Sequence, residues 1–209
     1  ALNQTHGIPL AAHVLKEAVA RAGVESNEVE DIVLGCGLPQ GATGHNIGRT
    51  AALEAGFDVP GVTVNRYCGS GLTAASMIAS RIATGEISCG IAGGVESISL
   101  VQMGIAVDGF FYAPLQARMP AVWWTMNETA DFVAKKYGIS REALDQYVVG
   151  SQQRVEAARA AGKFAEEITP FKAVMKVVDN ATGQSREQDV TLDHDEGPRA
   201  DTTIEGLAK

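Results

Sequence analysis

The stretch most suited to chemistry is Cys68-Gly69-Ser70-Gly71, a thiol between a short apolar segment and a long helical pattern. A cysteine at such a junction meets unpaired main-chain N–H groups and the positive end of a helix dipole, which favour thiolate over thiol. The same N–H groups can hold a developing oxyanion, and flanking glycines let a substrate approach the backbone. Gly-Ser-Gly can equally be a tight strand-to-helix connection with an incidental cysteine, and local chemistry alone leaves both readings open. The other two thiols read as structural. Cys89 falls inside an apolar strand pattern, where cysteine behaves as a small hydrophobe, and Cys36 follows a strand in a glycine-rich turn. An odd number of cysteines with no secretion signal predicts free thiols in a reducing, cytoplasmic compartment, an organelle remaining open. Asp193-His194-Asp195-Glu196 has metal-binding residue types but reads as a solvated acidic turn, so no metal is expected.

Regular elements must position these residues. Leu10, Val14, Ala18 and Ala22 share one face of a predicted helix over Leu10 to Ala22, stopped by Gly23. Asp31 to Leu34 predicts a strand, Asn46 to Ala55 a helix, Val62 to Val64 a strand, Leu72 to Thr84 a helix, and Ile87 to Ala92 a buried strand. Strands apolar on both faces and alternating with helices predict a parallel or mixed sheet covered on both sides, an α/β layered domain over residues 1–100. The pattern changes after about residue 100. Residues 101–125 are irregular and rich in aromatics, helices follow over Glu128 to Tyr137 and Arg141 to Ala161 with Ser140 as N-cap, and residues 163–209 read as extended and loop-like. Residues 101–209 thus read as a mainly helical region distinct from the sheet domain.

Composition sets limits on function. The chain has 209 residues, 45% hydrophobic and 20% charged, enough to bury a core without disulfides or a structural metal. A net charge of −8 argues against general nucleic-acid binding while leaving room for a local cationic pocket. No apolar run has the length of a membrane span. Gly35-Cys36-Gly37 and Gly41 after a strand superficially suggest a dinucleotide turn, but the spacing is G-x-G-x-x-x-G and no acid-ended second strand follows at the right distance.

The blocks Asn65-Arg66-Tyr67-Cys68-Gly69-Ser70-Gly71-Leu72 and Gly90-Ile91-Ala92-Gly93-Gly94-Val95-Glu96-Ser97-Ile98-Ser99 resemble the signature of the thiolase family (acetyl-CoA acetyltransferases and 3-ketoacyl-CoA thiolases). Met126 with Thr129-Ala130, Ile139-Ser140-Arg141-Glu142, Ser151-Gln152, Asp195-Glu196, Arg199 and Asp201-Thr202-Thr203 extend the resemblance over nearly the whole chain. It implies a thiolase-like layered fold, a mixed sheet covered by helices, with an inserted mainly helical loop domain that covers the site and binds coenzyme A.

The resemblance also implies a reaction. Cys68 would attack an acyl-CoA thioester, its own N–H helping to bind the oxyanion, and form an acyl-enzyme. A second acyl-CoA, deprotonated at its α-carbon, would then attack that thioester; thiolysis by CoA is the reverse. CoA is a substrate, and no separate cofactor or metal is implied. Arg199 falls where the family has an arginine near the CoA nucleotide, and Met126 and Gln152 where it has residues along the pantetheine channel. A surface ion pair of Arg199 with Asp195 or Glu196, a packing role for Met126 and a surface role for Gln152 stand beside those assignments. Some members carry a histidine just before the methionine, where this chain has Thr125. The Gly-His-Pro, Cys-Gly-Gly and Asn-Glu-Ala segments that complete the family's site do not occur. The expectation is therefore a chain that lacks the C-terminal thiolase domain, is incomplete and is inactive alone. Homodimers or homotetramers are the implied assemblies, with acyl-CoA and CoA as partners and neither nucleic acid nor membrane. A thiolase-like CoA-binding or interaction fragment without turnover is the alternative, and a ketoacyl synthase acting on carrier-protein substrates is disfavoured by the Cys-Gly-Ser-Gly block.

Overall fold

Burial of the central strand organises the first half of the chain. In a computed structural model describing residues 1–105 and 107–208, β1 (Asp31–Gly35) is buried along its whole length. It lies between β2 (Gly61–Val64) and β3 (Gly90–Gly94), and both pairings are parallel. Ile32 and Leu34 point to one face and Val33 to the other, as the two-residue period of a strand requires. The first face is covered by α1 (Gly7–Ala22) and α2 (Ile47–Glu54) through Ala11, Leu15, Ala51 and Ala52. The second is covered by α3 (Ser70–Ala83), where Ala74 and Ile78 meet Val33 and Ile87. Helices on both faces of a parallel sheet match the α/β layered architecture expected from the sequence. Burial of this apolar surface is the main stabilising term for the layers.

Charge is placed at the sheet's N-terminal end. Asp31, one of few buried carboxylates, pairs with Arg81 of α3, and Arg81 also meets Glu86 at 2.8 Å. A buried carboxylate needs such a partner.

The chain divides into two compact units, one of Ala1–Ile105 with Thr169–Asp193 and one of Ala106–Ile168 with His194–Lys209. The sequence assigns all of residues 101–209 to the second region, whereas residues 101–105 and 169–193 group with the first unit. Segment 169–193 is extended, as the sequence suggests, but paired rather than loop-like. It forms an antiparallel hairpin, β4 (Phe171–Val178) with β5 (Ser185–Leu192). The hairpin is fastened to the first unit by side chains. Asn3 Nδ2 donates to the Lys176 carbonyl at 2.8 Å while its Oδ1 accepts the Lys176 N–H at 3.0 Å, imitating one rung of a ladder. His13 lies 3.3 Å from the Thr169 hydroxyl and packs edge-on against Phe171. The short helix α4 (Ile98–Val101) completes the first unit's described helices.

Residues 107–125 are less irregular than their composition suggests, with α5 (Ala113–Arg118) opened by Pro114. Phe110, Phe111 and Trp123 form a mutual aromatic cluster with ring centroids 5.2–5.3 Å apart. Thr125 caps α6 (Met126–Tyr137), which starts two residues earlier than the hydrophobic pattern implies. Ser140 caps α7 (Arg141–Ala160) by accepting the Ala143 N–H, as the sequence predicts. Arg141 grips Asp145 one turn on and reaches the Leu207 carbonyl of α8 (Ile204–Leu207). Ala106 and Lys209, part of the predicted second region, lie outside the described residues.

Candidate active site

Three loops leave the C-terminal ends of the three parallel strands and meet there, the place where open α/β sheets bind ligands. Glu96, after β3, joins two of them. Its Oε2 accepts the Gly37 N–H at 2.7 Å, and its Oε1 accepts the Leu38 N–H at 3.3 Å. The Cys36 thiol donates to Glu96 Oε1 at 3.4 Å and faces the Thr43 carbonyl at 3.9 Å. Burial pushes the Cys36 thiol up from its ordinary range, and the Glu96 carboxylate adds to that, against an opposing contribution from Thr43. Cys36 is 1% exposed and belongs to the supporting framework, as its turn context suggests.

The third loop carries Cys68. Asn65 donates through Nδ2 to the Gly37 carbonyl at 3.1 Å and accepts the Tyr67 N–H through Oδ1 at 2.8 Å. Ser70 closes the other side: its Oγ accepts the Arg66 N–H at 2.9 Å and donates to the Tyr67 carbonyl at 2.6 Å. Tyr67 is held at φ 47°, in the left-handed region that few non-glycine residues occupy. Cys68 follows, exposed, immediately before the Gly69 N-cap of α3. Among the described residues no side chain caps that helix; the Gly69 and Ser70 N–H groups donate to the Arg66 and Tyr67 carbonyls, each at 3.0 Å.

Close packing of backbone on backbone sets the height of this turn. A Cβ on Gly35, the last residue of β1, would lie 2.4 Å from the Ser70 carbonyl carbon and 2.6 Å from the Gly71 nitrogen. Only glycine lets α3 start directly over the end of the central strand. A Cβ on Gly71, by contrast, would meet nothing within 4 Å, so the approach beside Cys68 is open.

The three thiols are thus unlike one another. Cys89 does not lie within a strand: β3 begins one residue later, and Glu30 Oε1 accepts the N–H groups of Ser88 and Cys89. Cys89 is half-buried against the core. Cys68 alone of the three is exposed.

In the second unit, two of the predicted CoA residues meet. Gln152 Oε1 accepts the Arg199 N–H at 2.7 Å. The Arg199 guanidinium donates through Nη1 to the main-chain carbonyls of Glu196, Gly197 and Pro198 at 2.8–3.2 Å, which curls its own loop around it. Met126, the first residue of α6, is 70% exposed and is therefore not a core residue of its unit. Among the described residues, no cluster of three or more His, Cys, Asp or Glu side chains could hold a metal ion, and no helix is long and apolar enough to cross a membrane.

An exposed thiol at the uncapped start of a helix, over the C-terminal ends of a parallel sheet, defines an α/β protein with a cysteine-centred candidate site. Comparison with known proteins narrows this class. The family described as "Thiolase, N-terminal domain" matches residues 1–209. The chain is 37% identical over 201 residues to a 3-ketoacyl-CoA thiolase of Bacillus subtilis, covering 95% of this chain and 51% of that protein. It is 39% identical over 220 residues to a beta-ketoadipyl-CoA thiolase of Acinetobacter baylyi, covering 97% and 51%. It is 42% identical over 174 residues to an acetyl-CoA acetyltransferase of Cupriavidus necator, covering 77% and 44%. The chain belongs to the thiolase family. It spans about half the length of the curated relatives it matches.

Local sequence analysis singled out Cys68 but missed what holds it. Asn65, Ser70 and Glu96 stand inside the quoted blocks without a role. A signal existed for Asn65, since asparagine readily bonds the N–H two residues on, as it does at Tyr67. The bonds of Glu96 to the loop some 58 residues earlier have no local signature.

Proposed function

We propose that this chain carries the nucleophile of an acyl-CoA thiolase and works by acyl transfer through Cys68. The observation that carries this reading is the exposed Cys68 at the uncapped N-terminus of α3. A thiolate there attacks the thioester carbonyl of an acyl-CoA, and the developing oxyanion sits against main-chain N–H groups that include the one of Cys68 itself. CoA thiolate leaves and an acyl group remains as a thioester on Sγ. In the condensing direction a second acyl-CoA loses an α-proton to a general base, and the resulting carbanion attacks that thioester, releasing Sγ and giving 3-ketoacyl-CoA. In the degradative direction Sγ attacks the 3-keto carbonyl of 3-ketoacyl-CoA, the bond between C2 and C3 breaks, acetyl-CoA leaves as its enolate and takes up a proton, and CoA then takes the remaining acyl group from Sγ. CoA is a substrate, and the chemistry needs no metal or redox group.

In this reading Arg199 meets the nucleotide end of CoA, and Gln152 and Met126 line the path of its pantetheine arm. Support comes from the Gln152 bond that fixes the Arg199 backbone and from the exposure of Met126. The Gly-His-Pro, Cys-Gly-Gly and Asn-Glu-Ala groups are not supplied by these residues. The protein works as a homodimer or homotetramer in a reducing, cytoplasmic setting where its three thiols stay free.

The test is thiolysis of acetoacetyl-CoA by CoA, followed for residues 1–209 alone and for a protein that adds the missing groups. The expected result is no turnover from residues 1–209, and turnover from the longer protein that Cys68→Ala abolishes. Turnover by the Cys68→Ala protein would overturn the assignment of Cys68. Turnover by residues 1–209 alone would overturn the need for the other groups. CoA binding without turnover in the longer protein would favour a non-catalytic CoA-binding role.

A further inference from the structure

We infer that Asn65 is a positioning residue for Cys68, acting through the left-handed backbone of Tyr67; the inference rests on the reading of Cys68 as nucleophile. Tyr67 has the backbone conformation of a glycine and the Cβ of a tyrosine, with φ 47° and a side chain 67% exposed. An exposed side chain gains little from burial that could hold such a conformation. What opposes relaxation is a clamp on both polar atoms of its main chain. Asn65 Oδ1 accepts the Tyr67 N–H, and Ser70 Oγ donates to the Tyr67 carbonyl. Strained backbone persists only where its surroundings over-determine it, and such residues cluster at functional sites.

The Tyr67 torsions set the peptide plane that enters Cys68. They therefore set the direction of both the Cys68 N–H and its side chain. Release of Tyr67 to an ordinary conformation turns that plane and carries the thiol away from the start of α3. Asn65 is itself anchored, because its Nδ2 donates to the Gly37 carbonyl while Glu96 holds the Gly37 N–H. The position of Cys68 is thus referred, through Asn65 and Gly37, to a carboxylate after β3. Ser70 is buried and starts α3, so its replacement also disturbs the helix. Asn65 is exposed and separates positioning from folding.

The experiment measures the rate of iodoacetamide alkylation at Cys68 and at Cys89 by peptide mass spectrometry, with circular dichroism to follow the fold. The proteins are wild type, Asn65→Ala, Asn65→Asp, Tyr67→Gly and the Asn65→Ala/Tyr67→Gly double variant. Asn65→Ala is expected to slow Cys68 about tenfold and to leave Cys89 unchanged. Asn65→Asp keeps the acceptor for the Tyr67 N–H and is expected to recover most of the rate. Glycine adopts a positive φ without strain, so the loss caused by Asn65→Ala is expected to shrink to less than about twofold when measured against Tyr67→Gly. A wild-type Cys68 rate in Asn65→Ala overturns the inference. So does a full tenfold loss in the Tyr67→Gly background, and so does equal slowing of Cys68 and Cys89, which a purely structural role would give. If Asn65→Ala fails to fold, a tenfold loss at Cys68 in a folded Asn65→Asp protein overturns it, and a wild-type-like rate in Asn65→Asp supports it. Protection of wild-type Cys68 by acetyl-CoA, measured alongside, reports on the nucleophile reading itself and can fail independently of these ratios.

Discussion

The Glu96 carboxylate accepts the Gly37 N–H at 2.7 Å and so ties the loop after β3 to the loop after β1. The same carboxylate takes the Leu38 N–H and the Cys36 thiol, leaving one residue to satisfy three donors. Glu96→Ala is expected to strand those donors in a half-buried loop and to cost about 1–3 kcal/mol. Glu96→Gln keeps one acceptor and is expected to cost less. Urea unfolding, with amide exchange read at Gly37 and Leu38, checks both.

Gly35 and Gly71 make a contrasting pair. Gly35→Ala drives a methyl to 2.4 Å from the Ser70 carbonyl carbon, against backbone that cannot swing aside. A loss of about 3 kcal/mol or more is expected. Gly71→Ala adds its methyl to open space in the first turn of a helix and is expected to be stabilising by about 0.5 kcal/mol. Thermal unfolding of the two proteins side by side gives the comparison.

The buried Cys36 thiol predicts a loss of stability on the alkaline side. Its folded-state value is raised, chiefly by burial, so its contribution is complete below the unfolded thiol range of about 8.5. As pH rises past that point the unfolded chain sheds the proton first, and stability falls until the folded value is crossed. Cys36→Ala is expected to flatten this alkaline slope, measured by urea midpoints across the pH range, while also lowering stability through the cavity it leaves.

At the acid side the relevant group is Glu128. Thr125 and Glu128 form a reciprocal cap at the start of α6, and the Thr125 N–H and hydroxyl hold the Glu128 carboxyl below its usual range. A depressed carboxyl contributes above the unfolded value of about 4.3 and loses that contribution as pH falls through the folded value. The group is exposed, so the effect is small and screened by salt. Glu128→Gln is expected to remove the acid-side dependence of α6, read by helix-resolved amide exchange.

Much of the first unit was legible because its signals are local and periodic. The apolar run 31–34, the helix faces 10–22 and 72–84, and the glycines that end them predict three layers, and the layers are there. The place of Cys68 between a strand and a helix was legible for the same reason, while its reading as a nucleophile came from the family resemblance. The hairpin 171–192 was not legible. Lys172, Lys176, Glu187 and Asp189 interrupt its apolar residues, and its place in the first unit depends on Asn3 and His13, more than 150 positions away. Its apolar neighbours place Cys89 in a strand by pattern, whereas its N–H goes to the Glu30 carboxylate and β3 starts at Gly90. The clamp on Tyr67 escaped notice because no residue type announces a tyrosine at positive φ.

Catalysis through Cys68 requires that it be the reactive thiol. The protein is treated with limiting iodoacetamide, with and without acetyl-CoA, and the peptides of Cys36, Cys68 and Cys89 are quantified by mass spectrometry. Cys68 is expected to be modified first and to be protected by acetyl-CoA, with buried Cys36 the slowest of the three. Preferential modification of Cys36 or Cys89, or a Cys68 rate indifferent to acetyl-CoA, would contradict catalysis through Cys68.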